Sequence, residues 1–130
     1  MKIKICGLTR KEDLQFCQKC GVDYTGFIFH PLSPRNVIPS VVAEWTRGIS
    51  SPPARVGVFV RQSPEEVVEI MEQCRLDFAQ LHGDQDEEFC RKIGVSRVIK
   101  VLWPERCSTV QELQREMERF APFCAHFLLD

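Results

Sequence analysis

Short apolar segments recur along this chain, and most are followed by a stretch with the spacing of an amphipathic helix. Residues 2–5 alternate polar and apolar side chains, as a short strand does. Later segments are apolar throughout, which is typical of parallel strands buried on both faces. The pattern predicts strands over residues 2–5, 24–29, 56–60, 77–81, 97–102 and 125–129.

Helices are predicted between these strands, and several carry start and stop signals. Glycines at 21, 48 and 94 mark expected helix ends, and residues 50–53 read as a linker. The predicted capping residues are Thr9 (in a capping box with Glu12), Ser63, Asp84 and Ser108. The predicted buried faces consist of Leu14, Cys17 and Cys20 in the first helix, Val67, Ile70, Met71 and Cys74 in the third, and Val110, Leu113, Met117 and Phe120 in the fifth.

This alternation of strands and helices predicts the fold class. Five β/α units followed by a sixth strand within 130 residues make a single α/β domain, residues 1–130, with a parallel sheet and right-handed crossovers. Such a sheet is either open and doubly wound or part of a closed barrel. A complete eight-unit barrel needs about 200 to 250 residues, so this chain would supply all but about two of its units.

Composition and charge limit the kinds of partner that the chain can bind. The chain is 44% hydrophobic and 27% charged, with a formal net charge of -1, so it has no basic field for nucleic acid or an anionic membrane. No apolar run approaches the roughly 20 residues that span a bilayer, and the N-terminus lacks the features of a signal peptide. We expect a cytoplasmic protein with neither a nucleic-acid nor a membrane partner.

Seven cysteines are an odd number for a disulfide scaffold, so we expect most of them to be reduced. Cys17 and Cys20 have the CxxC spacing of redox or metal sites. They fall near the end of the first helix, where the helix dipole opposes thiolate formation, and no second pair completes a zinc set. We therefore interpret them as small apolar residues of a core-facing helix and predict no metal site.

Cys6 differs from the other cysteines because it comes directly after the first predicted strand. In α/β folds the loops at the carboxyl ends of parallel strands carry the reacting groups. A cysteine in that position is a candidate for catalysis, although a small buried residue is the more common explanation for a lone cysteine after a strand.

Six segments, in this order and spacing, resemble the phosphoribosylanthranilate isomerase family: KICGLTR at 4–10, DYTGFIFHPLSPR at 23–35, VGVFV at 56–60, QLHGD at 80–84, VIKV at 98–101 and FLLD at 127–130. The resemblance implies an incomplete (β/α)8 TIM barrel, about five β/α units plus a sixth strand. Members of the family continue through two further strands, whose Gly-rich loops bind the substrate phosphate.

The resemblance also implies an activity, the Amadori rearrangement of an aminoaldose to an aminoketose in tryptophan biosynthesis, without a metal or organic cofactor. It assigns the base to Cys6 and the acid to Asp130. A thiolate is a competent base, and a carboxyl group in a partly apolar pocket can stay protonated. Without the resemblance, Asp130 would be read as a frayed terminal carboxylate.

Four further residues receive a binding role by the same resemblance. Arg35 is implied as the partner of the anthranilate carboxylate, which suits a bidentate guanidinium, with a solvated loop arginine as the alternative. His82 is implied to face the pocket, although it could simply fill its loop. Gly7 and Gly83 are predicted to let the backbone approach the ligand or a neighbour, or to serve turn geometry alone.

Two other functions stay open at this point. One is a non-catalytic remnant that lacks the phosphate-binding loops. The other is a different sugar-phosphate barrel of the same pathway or of histidine biosynthesis, against which KICGLTR and QLHGD argue. The expected partner is a small phosphorylated sugar, and open barrel edges would favour self-association.

Overall fold

The computed structural model describes residues 1–49 and 53–130 as a six-stranded parallel sheet with helices between its strands. The strands are β1 (Lys4–Cys6), β2 (Tyr24–Ile28), β3 (Ala54–Phe59), β4 (Phe78–Leu81), β5 (Val98–Leu102) and β6 (His126–Leu129). The helices are α1 (Lys11–Cys20), α2 (Pro39–Thr46), α3 (Pro64–Gln73), α4 (Glu87–Ile93) and α5 (Val110–Phe120). Of the predicted linker at 50–53, residues 50–52 lie outside the described residues.

The sheet follows chain order, since each strand pairs in parallel with the next one along the sequence. Right-handed crossovers between neighbouring strands place all helices on the same face of the sheet. A sheet covered on one face in this way curls, and the result is part of a TIM barrel. The prediction of an incomplete (β/α)8 barrel is confirmed.

The main core lies between the sheet and the helices. Alternate strand residues such as Phe27, Phe59 and Val98 are fully buried there. Helix residues from the apolar faces meet them, including Leu14 of α1 and Met71 of α3. Because side chains alternate along a strand, the intervening residues face the opposite side, which is the inside of the barrel.

One predicted capping box is present and one is absent. Ser63 Oγ accepts from the Glu66 backbone N–H at 3.2 Å, and the Glu66 carboxylate accepts from the Ser63 N–H at 2.6 Å, as predicted. The capping box at Thr9 is wrong. The N-cap of α1 is Arg10, which makes no side-chain cap bond and instead pairs its guanidinium with Asp13 at 2.7 Å.

The predicted caps of α4 and α5 are also wrong, by two residues and by one. Asp86, not Asp84, accepts from the Phe89 N–H at 2.9 Å and begins α4. Thr109, not Ser108, accepts from the Glu112 N–H at 3.1 Å and begins α5. In both cases a second polar residue lies within two positions of the N-cap. The sequence alone does not show which of the two will cap the helix.

The predicted buried faces are largely confirmed, with two corrections at helix ends. Cys20 lies in the last turn of α1 and is exposed, whereas Cys17 is buried. Val110 lies in the first turn of α5, and its side chain is 77% exposed. All seven cysteines are free, as expected for reduced thiols. None of the helices described is both long and apolar enough to cross a membrane.

Candidate active site at the carboxyl ends of the strands

The candidate residues lie along the rim formed by the carboxyl ends of the parallel strands. Cys6 ends β1, His82 follows β4 directly and Asp130 follows β6 directly. Alternation along β6 gives Asp130 the same inward direction as Leu128, because Phe127 packs with the helix-side core. By the same rule Cys6 faces inward with Lys4. The rim therefore carries a thiol and a carboxylate from strands at opposite edges of the sheet.

Cys6 lies over a stretch of backbone without a side chain. Its partner in the β1–β2 ladder is Gly26. A Cβ at Gly26 would come 2.7 Å from Cys6 Sγ and 3.2 Å from Lys4 Nζ, both too close without a shift. Gly26 is thus the residue that makes room for the thiol. Sequence reasoning missed it, since the pairing of Cys6 with Gly26 depends on strand register.

Arg35 reaches across the first βα loop and holds it. Its Nη1 donates to the Cys6 carbonyl oxygen at 3.0 Å. The guanidinium passes directly over Gly7, where a Cβ would lie 2.8 Å from Arg35 Cζ. Gly7 also has φ +81°, a conformation that a side chain would strain. The structure therefore brings Cys6, Gly7 and Arg35 together, and the close approach predicted at Gly7 is to a neighbouring side chain.

On the other side of the rim Asp130 and His82 form a pair. The Asp130 backbone N–H donates to the Leu102 carbonyl at 3.0 Å, which extends the β5–β6 pairing and holds the residue in place. Asp130 Oδ2 lies 3.5 Å from His82 Nε2, within reach of an ion pair when the imidazole is protonated. The edge of the His82 ring packs on Trp103, with centroids 5.4 Å apart.

Gly83 belongs to the loop after β4, which is held by contacts on the helix side of the sheet. A Cβ at this position would lie 2.6 Å from the Val60 carbonyl oxygen, so the loop passes closely over the end of β3. Lys100 Nζ donates to the Gly83 carbonyl at 3.2 Å and to the Gln85 carbonyl at 2.8 Å. Lys100 is 4% exposed, and burial lowers its pKa. This lysine fixes the loop that follows His82.

A buried glutamine stands beside the same histidine. Gln80 is 4% exposed, and its Nε2 lies 3.5 Å from His82 Nδ1. Its Oε1 has no hydrogen-bond partner among the residues described. Alternation in the QLHGD segment could have indicated that Gln80 and His82 share a face, because they are two residues apart in a strand.

Three of the other cysteines, Cys17, Cys74 and Cys90, are buried. Burial raises the pKa of Cys74 and of Cys90 to about 11, and it also raises the pKa of Cys17. A raised pKa keeps these thiols neutral at ordinary pH, which opposes a redox function for Cys17. Within residues 1–49 and 53–130, no group of three or more His, Cys, Asp or Glu residues could hold a metal ion.

A cavity of about 360 Å³ lies on the helix side of the sheet and not on its inner face. It is bounded by the loop after β4, by β5 and by α5, with Lys100 and Gly83 in its wall. The reactive groups Cys6 and Asp130 are not among its lining residues. We therefore place the candidate active site on the inner rim, away from this cavity.

Comparison with known proteins gives one family. Residues 3–130 match the family described as N-(5'phosphoribosyl)anthranilate (PRA) isomerase. An N-(5'-phosphoribosyl)anthranilate isomerase of Maridesulfovibrio salexigens is 51% identical over 129 residues, which cover 98% of this chain and 61% of that protein. The chain thus spans about three fifths of the length of this relative.

Solved structures agree with the sequence relatives. Monomers of the dimeric phosphoribosylanthranilate isomerase from Thermotoga maritima match with a TM-score of 0.84 and 34% identity, covering all of this chain and 64% of that one. A phosphoribosyl anthranilate isomerase in complex with reduced 1-(o-carboxyphenylamino)-1-deoxyribulose 5-phosphate matches with a TM-score of 0.83 and 34% identity, covering 100% of this chain and 64% of that one.

Proposed function

Because this chain belongs to the N-(5'-phosphoribosyl)anthranilate isomerase family, we propose that it forms the N-terminal part of an enzyme that converts N-(5'-phosphoribosyl)anthranilate into 1-(o-carboxyphenylamino)-1-deoxyribulose 5-phosphate. This is a step of tryptophan biosynthesis, and we place it in the cytoplasm. The observation that carries the proposal is the rim itself, with a thiol at the end of β1 and a carboxylate directly after β6, both directed inward.

The proposed chemistry needs one acid and one base and no external reactant. Asp130 donates a proton to the furanose ring oxygen, and the ring opens to an iminium ion. The Cys6 thiolate then removes the proton from the sugar C2 carbon, which gives an enolamine. Loss of the enol proton and protonation at C1 give the ketone, so the reaction is a net isomerisation.

The pairing of Asp130 with His82 supports the acid role. A histidine 3.5 Å from the carboxylate can return a proton to it after each turnover and can hold the carboxylate in one orientation. The Trp103 ring packs against His82 and so helps to hold the imidazole beside the carboxylate.

Arg35 is proposed to bind the anthranilate carboxylate. Its guanidinium is anchored by one N–H to the Cys6 carbonyl, which leaves other donors of the fork free for a carboxylate. That anchor also places the binding group next to the base. Gly7 and Gly83 are proposed to keep the rim open for the substrate, because a side chain at either position would collide with its surroundings.

The test of this function is turnover in a completed barrel. We define the completed barrel as residues 1–130 joined to the C-terminal segment of the Maridesulfovibrio salexigens relative, which is 51% identical over the shared region. It should convert the substrate, and Cys6→Ala should lower kcat at least about a hundredfold. Cys20→Ala, at an exposed cysteine of α1, is the matched control and should leave kcat unchanged. Near-normal turnover of Cys6→Ala would remove Cys6 from its role.

A second candidate function is a fragment without activity of its own. The observation that favours it is the pair of sheet edges, since β1 and β6 each have one neighbour in the described sheet. Ile5 and Leu129 at these edges are 41% and 53% exposed. We propose that the 130-residue chain by itself turns over little substrate and self-associates through these edges. Light scattering and the turnover assay decide this, because an active monomer would contradict it.

A further inference from the structure

Lys4 is a charged residue on the inner face of β1, close to the candidate base. It precedes Cys6 by two residues, so the two side chains leave the strand in the same direction. Both heads lie over Gly26, where a Cβ would meet Cys6 Sγ at 2.7 Å and Lys4 Nζ at 3.2 Å. The absence of a side chain at Gly26 therefore opens a common space for an ammonium and a thiol.

The charge of Lys4 is not compensated by an acidic side chain. In the part of the chain that the structure describes, no carboxylate comes within 4.0 Å of Lys4 Nζ. The other cation at this position is Arg35, which approaches from the loop after β2 and donates to the Cys6 carbonyl. Two positive groups thus flank Cys6 from different elements.

We propose that Lys4 is a positioning residue whose ammonium stabilises the Cys6 side chain as a thiolate. The role deepens the proposed isomerase function and rests on it, because a base must be in its deprotonated form before it can take the C2 proton. The physical reason is Coulombic: an unpaired cation beside the sulfur lowers the free energy of the anion relative to the neutral thiol. Gly26 is what allows the approach.

The experiment measures the reactivity of Cys6 itself, so that it is independent of turnover. Iodoacetamide reacts with a thiolate by forming a C–S bond and releasing iodide, and its rate follows the thiolate fraction. The completed barrel is alkylated at about pH 7 and digested, and the peptide that contains Cys6 is quantified by mass spectrometry over time. The exposed Cys20 in the same molecule serves as the internal reference.

Lys4→Met should slow alkylation of Cys6 about three- to tenfold, the size expected for one partly screened neighbouring charge. Lys4→Arg keeps the charge and should stay within about twofold of the unaltered chain. Added salt should reduce the difference between the chain with Lys4 and Lys4→Met. At about pH 10, where an ordinary thiol is ionised, the two rates should converge. The reactivity of Cys20 should not change in any variant.

Two results would overturn the proposal. An unchanged Cys6 rate in Lys4→Met would show that the ammonium does not act on the sulfur. An equal loss in Lys4→Arg and Lys4→Met, persisting at high pH, would show that the lysine acts through packing or access. Either result leaves the isomerase function standing, because that function is tested separately by turnover of Cys6→Ala in the completed barrel.

Discussion

The two sides of the rim are built in different ways. On the β1–β2 side, Cys6 is half-buried and is flanked by the cations Lys4 and Arg35. The Arg35 side chain donates one hydrogen bond to the backbone carbonyl of Cys6. On the β4–β6 side, the His82 imidazole lies 3.5 Å from the Asp130 carboxylate and packs against Trp103, and the buried Lys100 holds the loop after His82.

This difference matches the proton transfers proposed for each side. A base works from its charged form, and neighbouring cations favour an anion. An acid needs a source of protons, and the His82 imidazole beside Asp130 can pass a proton to it. The same parallel sheet therefore supplies one strand end beside permanent cations and one beside a titratable imidazole. The predictions below change one side at a time and use the other side as the reference.

The largest effect is expected on the acid side. Asp130→Asn in the completed barrel removes the proton donor while keeping the shape, and kcat should fall at least about a hundredfold. Asp84→Asn is the matched control, since Asp84 is a fully exposed carboxylate in the loop after β4. Steady-state kinetics should show near-normal kcat for the control. A normal kcat for Asp130→Asn would leave the acid role to another group.

The next effect is expected on the base side, in binding. Arg35→Met in the completed barrel should raise KM by a factor that corresponds to roughly 1.5 to 3 kcal/mol, the contribution of a hydrogen bond to a charged group. The value of kcat should fall less than KM rises. Arg61→Met, an exposed arginine after β3, serves as the control and should leave KM in place. An unaffected KM for Arg35→Met would make Arg35 a bystander.

The third prediction concerns Lys100, which holds the loop after β4 on the acid side of the rim. Lys100→Met leaves the Gly83 and Gln85 carbonyls without their donor, and an unsatisfied buried polar group costs about 1 to 3 kcal/mol. Urea unfolding of the completed barrel should show a loss of that size. Lys92→Met at an exposed lysine of α4 should change stability by less than about 0.5 kcal/mol. Equal stabilities for the two variants would contradict the role of Lys100.

The smallest effect is a pH dependence of the folding stability. It comes from the helix side of the sheet, where Glu87 of α4 pairs with Arg119 of α5. The hydrogen bonds from Arg119 lower the pKa of Glu87 to about 2 from its usual 4.5. The folded pKa is below the unfolded one, so the pair contributes stability above pH 4.5 that is lost as the pH falls toward 2. Thermal melts of Glu87→Gln should therefore show a shallower acid dependence. Parallel pH curves would show that the pair is fully screened.

The strand ends were the part of the site that sequence patterns could predict. Cys6, His82 and Asp130 each follow a predicted strand, and a parallel sheet carries the residues after its strands to one rim. Their catalytic and binding roles stay predictions. Gly26 could not be found in this way, because its closeness to Cys6 depends on the register between two strands. The role of Lys100 could not be predicted for another reason. A lysine within an apolar strand does not indicate which backbone carbonyls its ammonium will contact.

Helix starts show where local signals fail. At Ser63 the proline and the glutamate reinforce each other, and the predicted capping box is present. At 84–86 and at 108–109 two polar residues compete, and tertiary contacts decide between them. Gln85 uses its side chain to bind the Gly83 N–H and the Val60 carbonyl, which holds residues 83–85 in a loop and delays the helix to Asp86.

The sequential order of the sheet has a consequence for synthesis on the ribosome. Each strand pairs with the strand one β/α unit earlier, from β1 and β2 through to β5 and β6. Contacts between neighbouring units have short loops to close, so structure can grow from the N-terminus as each unit emerges. Closing a barrel is different, because it joins the first strand to the last one made. Cys6 would therefore be seated over Gly26 early in translation, well before Asp130 joins the rim.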